Sequence, residues 1–206
     1  MTMVGRLGKL LLGLVLFAMG LWFGLQAHLG VGPWDVLTGG LSRQLHVPFG
    51  TMAIAVSVVV LAVGLACKVR PGVGTVLNVV VIGVVLDVLL NQGWLDGVQD
   101  GALWLRALLL VGCIGSVATG SALYLGAHLG PGPRDGLMVA LVTRTGWPVG
   151  ACRALLESGV LVVGALLGGP VGIGTLAFAA GIGPAVQLAF RVLRQTPVRP
   201  AVEATA

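Results

Sequence analysis

Charge is scarce in this chain. Only 9% of its 206 residues are charged and 57% are hydrophobic, whereas soluble domains carry about 25% charged residues. Such a chain cannot cover a water-facing surface, which excludes a soluble globular domain. Aromatic residues amount to 5%, with a single tyrosine. The basic residues stand mostly at the ends of apolar runs and form no patch with interleaved aromatics, so the net charge of +5 does not point to nucleic acid. Cysteine is limited to Cys67, Cys113 and Cys152, with no CxxC and no histidine at ligand spacing. Neither a disulfide framework nor a metal centre is expected. Gly72-x-Gly74 lacks the P-loop lysine, and no HExxH, nucleophile elbow or paired-carboxylate pattern is present. No catalytic residue, cofactor or enzymatic activity is expected.

What the chain has is apolar runs and glycine. The 34 glycines suit close helix approach in lipid, where small residues rather than a hydrophobic drive bring helices together. Crossing a bilayer takes about 20 apolar residues, and runs near 10–28, 50–67, 73–90, 105–128, 150–168 and 173–190 meet or nearly meet that length. The first run is too long for a signal-peptide core and has a counterpart in mid-chain, so it reads as a retained span. Two shorter segments, 33–45 and 133–145, have polar ends and read as half-helices that do not cross. The fold class expected is an all-α integral membrane bundle, with the lipid bilayer as its first partner.

The chain repeats itself at a spacing of one hundred residues. His28-Leu29-Gly30-Val31-Gly32-Pro33-Trp34-Asp35 returns as His128-Leu129-Gly130-Pro131-Gly132-Pro133-Arg134-Asp135. Between 20–90 and 120–190, 22 of 71 ungapped positions are identical, more than abundant Gly, Leu, Val and Ala would produce by chance. The organisation is therefore a first membrane repeat over 1–92, a polar linker over 93–104, a second repeat over 105–194 and a disordered cytoplasmic tail over 195–206. About three spans and one half-helix per repeat make the second repeat enter with opposite polarity, an inverted topology.

With both termini cytoplasmic, Arg6, Lys9, Lys68, Arg70, Arg134, Arg144, Arg153, Arg191, Arg194 and Arg199 fall inside, and Arg43 and Arg106 outside, as the positive-inside rule asks. Eight spans with parallel repeats give nearly the same charge balance. Segment length favours six.

Candidate site residues cluster at the repeated breaks. Gly32-Pro33 and Gly132-Pro133 start the half-helices, because proline at the first helical position needs no N–H and already has helical φ. Asp35 and Asp135 fall near the third helical position, where a carboxylate can cap free N–H groups or serve as counter-charge to a bound solute. His28 and His128 can relay protons or cap carbonyls at a span end. Glu157 lies inside an apolar run, where an ionised carboxylate needs a partner, and Arg153 stands at i−4. Asp87 lies near a span end, with Asn78, Thr75 and Thr175 as further polar candidates. Gly20-x-x-x-Gly24 and Gly164-x-x-x-Gly168 are small-residue faces suited to helix packing, within the chain, in a homo-oligomer or against a partner membrane protein.

Gly32-Pro33-Trp34-Asp35-Val36-Leu37, then Gly39-Gly40-Leu41-Ser42 and Pro48-Phe49-Gly50, resemble the YczE/YyaS/YitT family of bacterial membrane proteins. So do Gly72-x-Gly74-Thr75, Gly83 and Asp87, and the likeness covers the chain outside its tail. The resemblance implies a multi-spanning protein of the bacterial inner membrane, sometimes described as permease-like. Broken helices, duplication and an intramembrane acid together point to a small-solute permease or transport subunit, its site between the repeats and its solute small and polar or cationic. The alternative is a non-transporting membrane factor that assembles or regulates a partner complex.

Overall fold

The computed structural model describes residues 2–95 and 97–197. Eight α-helices succeed one another: α1 (Met3–Ala27), α2 (Pro33–Leu45), α3 (Phe49–Ala66), α4 (Val73–Asn91), α5 (Leu103–Leu125), α6 (Pro133–Thr145), α7 (Val149–Leu166) and α8 (Ile173–Val192). One 3-10 turn, Val98–Asp100, lies in the polar connection between α4 and α5. No strand occurs among the described residues. Of the expected tail, residues 195–197 are described and 198–206, with Arg199, lie outside the described residues.

Helices α1, α4, α5, α7 and α8 are long and apolar enough to cross a membrane, while the apolar stretch of α3, Thr51–Ala66, is shorter. Their outer faces carry exposed Val59, Val80, Val111, Val162 and Leu188. In lipid such side chains meet a matching solvent, and helices satisfy their own backbone groups there.

The centre of the bundle is the crossing of α1 and α5. A Cβ on Gly13 would fall against Tyr124, one on Gly20 against Val117, and one on Gly24 against Cys113 Sγ, 2.8 Å away. Rising numbers on α1 thus meet falling numbers on α5: the two helices are antiparallel. The Gly20–Gly24 face is spent on this internal contact. Gly164 likewise lies against the α2 backbone at Leu37, and Gly168 is a turn residue at φ 82°.

Around that crossing the two halves interleave. Helix α4 packs on α1 and α8 on α5, α2 lies along α7 and α3 along α6.

The chain is broken after α1 and after α5, and each break is satisfied by the other half. At the first, Arg106 of α5 donates through Nε to Ala27 O (2.8 Å) and through Nη2 to His28 O. Gly174 N then donates to Leu29 O (2.8 Å) and Thr175 Oγ1 to Val31 O (2.6 Å). At the second, Arg6 of α1 donates to Ala127 O (2.9 Å) and His128 O (2.7 Å), Gly74 N to Leu129 O (2.7 Å) and Thr75 Oγ1 to Pro131 O (2.7 Å). Irregular backbone at membrane depth is tolerated only where protein supplies such partners.

Gly30 and Gly130 make the approach possible. Their φ values are 137° and 110°, and a Cβ would fall 2.6 Å from Thr175 Oγ1 in one case and from Gly72 N in the other.

The last turn of α2 reaches the α7–α8 connection, where Arg43 Nη1 donates to Gly168 O (2.7 Å) and Gln44 Nε2 to Leu167 O (3.4 Å). Leu29 is held by Gly174 in the first turn of α8, just past that connection.

Candidate functional site

Proline at the first helical position starts both short helices, with Gly32 and Gly132 as their N-caps. Both starts lie inside the bundle. Gly32, Pro33, Trp34 and Asp35 share one cavity of about 310 Å³ with Gly132, Pro133, Arg134 and Asp135, and mid-helix Phe17 and Val117 line it too.

Two positions that differ between the motif copies meet here. The Arg134 guanidinium lies over the Trp34 ring, 5.3 Å from its centroid, and reaches 4.0 Å from Asp35 Oδ1. The motif differences thus complement each other within one site.

Asp35 and Asp135 stand at the third position of their helices, yet neither helix has a side-chain cap hydrogen bond. Asp135 is 4% exposed; it accepts a hydrogen bond from Tyr124 OH and pairs with Arg153. The backbone N–H of Gly132 donates to the same tyrosine oxygen at 3.4 Å. Arg153 is shared: its Nε lies 3.0 Å from Glu157 Oε1, the i,i+4 pair that the spacing predicts. Glu157 is 1% exposed, and the Trp34 indole approaches its carboxylate. Oε2 of Glu157 has no hydrogen-bond partner among the described residues, an expensive state for a buried carboxylate oxygen. By contrast the Asp35 side chain is 41% exposed and faces only the long contact from Arg134.

The remaining wall is mostly apolar, with Phe17, Leu21, Ile82 and Phe178, and also carries Asn78 and Ser57. Helices α7 and α8 close against each other, but α3 and α4 do not form the corresponding packed pair. Val79 and Gly83 of α4 are both cavity wall and exposed, so the cavity opens past α4.

The other expected site residues lie elsewhere. Asp87 is exposed on α4 and is not part of the wall. His28 is the C-cap of α1 in the left-handed conformation at φ 49°, and His128 follows α5 at φ 53°. Their carbonyls receive Arg106 and Arg6 at opposite ends of the antiparallel α1–α5 pair, so the structure does not bring the two histidines together. Thr75 and Thr175 serve the breaks. Arg134 and Arg153, counted above with the cytoplasmic basic residues, line the cavity instead, each beside a carboxylate, and the buried Arg153 is held there by its partners.

Sequence reasoning missed Tyr124, the stacking of Trp34 with Arg134, and the carbonyl-binding roles of Arg6 and Arg106. Signals for each existed. Tyr124 is the only tyrosine and replaces Gly24 one hundred residues on, Trp34 and Arg134 flank the repeated aspartate, and Arg6 and Arg106 share the motif's spacing.

A family model described as "Family of unknown function (DUF6198)" matches residues 4–191. Similar proteins include an uncharacterized protein of Haemophilus influenzae, 36% identical over 191 residues that cover 90% of this chain and 86% of that protein. The uncharacterized membrane protein YczE of Bacillus subtilis is 29% identical over 168 residues, 80% of this chain and 75% of its own length. The uncharacterized protein YyaS of the same organism is 26% identical over 172 residues, 80% and 82% of the two chains. No solved structure gives a significant match.

Proposed function

The chain belongs to the DUF6198 family, and we propose that this multi-pass membrane protein is a small-solute permease or transport subunit whose site is the cavity between its two halves. One observation carries the reading: two interrupted helices from distant parts of the chain start inside an apolar bundle and meet at a single charged cavity. Broken helices meeting at a midplane site are the usual way a transporter offers polar groups to a solute. A protein that only scaffolds a partner has no need of three carboxylates and two guanidiniums around an internal space, given the cost of charge in the membrane.

In this reading the halves are inverted repeats in the inner membrane, with both termini cytoplasmic. The antiparallel α1–α5 pair and the reciprocal hydrogen bonds at residues one hundred apart support that arrangement. The short helices α2 and α6 are re-entrant, and α3 is the sixth span. Alternating access is a rocking of one half against the other, in which α3 closes on α4 as α7 now closes on α8. The Arg153–Asp135–Tyr124 group is the fixed post of the site, and Asp35, Glu157 and Trp34 are its solute-facing groups. No catalytic step and no cofactor is assigned.

Proteoliposomes holding the purified protein, screened for uptake over cationic, zwitterionic, anionic and neutral small solutes, test the reading. Uptake of one class, abolished by Glu157→Gln in protein that still folds, is the expected result. No uptake of any class, together with a cellular phenotype that survives Glu157→Gln but is lost on deleting 198–206, would instead favour a factor that assembles or regulates a partner complex.

A further inference from the structure

The cavity wall holds the carboxylates of Asp35, Asp135 and Glu157 against the guanidiniums of Arg134 and Arg153. Asp35 and Asp135 stand at helix starts, whose dipoles offset part of their charge. Glu157, within α7, has no such help. It shares Arg153 with Asp135, and its Oε2 is left without a partner. A buried, half-paired carboxylate in an apolar bundle calls for a cation.

The protein already shows what fits. Arg134 is a planar organic cation resting on the Trp34 face beside the Asp35 carboxylate, 39% exposed and held only by a 4.0 Å contact and the ring. Cation–π attraction of this kind strengthens when water is excluded. The rest of the wall is mostly apolar, with Phe17, Leu21, Ile82 and Phe178 beside Asn78 and Ser57, and it suits an apolar body with few polar groups. The cavity opens past Val79 and Gly83 of α4, where exposed apolar side chains face the surroundings.

We propose that the cavity binds an organic monocation with an apolar body, seated over Trp34 where Arg134 now lies, its charge against Asp35 and Glu157. The inference rests on the cavity being the solute site. Arg134 is then a tethered stand-in that the ligand displaces.

The test uses the full-length protein in lipid nanodiscs and calorimetric titration with four probes: benzyltrimethylammonium, tetramethylammonium, the neutral isostere neopentylbenzene, and benzoate. Benzyltrimethylammonium is expected to bind, with tetramethylammonium at least about tenfold weaker for want of an apolar body and benzoate not bound. Glu157→Gln is expected to weaken binding about tenfold or more. Arg134→Ala, at a half-exposed position, is expected to fold and to tighten binding several-fold, because it removes the competing cation. Preference for benzoate, equal binding of the neutral isostere, binding of none of the four, or an affinity unchanged or weakened by Arg134→Ala would each overturn the proposal.

Uptake of radiolabelled benzyltrimethylammonium by proteoliposomes separates the two levels. Binding without uptake removes the permease reading and leaves the ligand class standing. Uptake of an anion or neutral solute in protein that does not bind the cation removes the ligand class and leaves the permease.

Discussion

Asp35 and Asp135 occupy the same place in two copies of one motif, and their surroundings are opposite. Asp135 is buried, hydrogen-bonded to Tyr124 and paired with Arg153; Asp35 is half-exposed with only Arg134 at 4.0 Å. Three exchanges one hundred residues apart make the difference: Tyr124 for Gly24, Arg153 for Ala53 and Glu157 for Ser57. The helices follow suit. In the second half α7 packs on α8 with Gly183 and Gly150 in close contact, while in the first half a Cβ at Gly83 would meet nothing within 4 Å. The same helix starts thus serve two ends. One side fixes its aspartate between Tyr124 and Arg153, and the other leaves its aspartate to a single long contact.

The sharpest way to break that contrast is to unfasten the fixed side. Arg153→Ala leaves Asp135 and Glu157 buried without their shared cation, and should cost about 3–5 kcal/mol, read as loss of folded, monodisperse protein or a large fall in Tm. A variant as stable as the parent would show that the cluster is not a post.

Next comes the seam. Gly183→Val puts a side chain 2.7 Å from Gly150 O and should destabilise by about 1–3 kcal/mol. Gly83→Val should stay within about 0.5 kcal/mol while blocking uptake, because it props α3 and α4 apart. Equal loss of stability from the two would erase the difference between the halves.

Tyr124→Phe removes the hydroxyl from Asp135 and should cost about 1–3 kcal/mol, measured by thermal unfolding in nanodiscs. The smallest effect belongs to the open side. Arg134→Gln breaks a half-exposed ion pair and a ring contact and should change stability by less than about 1 kcal/mol. A larger loss, read from the same unfolding curves, would mean that Asp35 depends on its partner as heavily as Asp135 does.

Local chemistry made much of this legible in the chain. Proline suits the first helical position, so Pro33 and Pro133 of the repeated motif located α2 and α6 to the residue. The Arg153–Glu157 pair follows from i,i+4 spacing and is found at 3.0 Å. The span lengths identified α1, α4, α5, α7 and α8, whereas α3 is harder to assign because its apolar stretch is short. Asp87 and the histidines looked like members of the site for their chemistry alone, and packing turned them elsewhere.

Composition and local spacing set the solvent of this protein, its all-helical class and the places where its helices are interrupted, because these depend on residues within a few turns of one another. Folding alone brought Trp34 beneath Arg134, Tyr124 to Asp135, and Arg6 and Arg106 to the opposite breaks. Those contacts span from 11 to 122 positions. They depend on the antiparallel crossing of α1 and α5, which no local pattern encodes: the glycines that permit it say that two helices can touch, but not which two, nor in which direction.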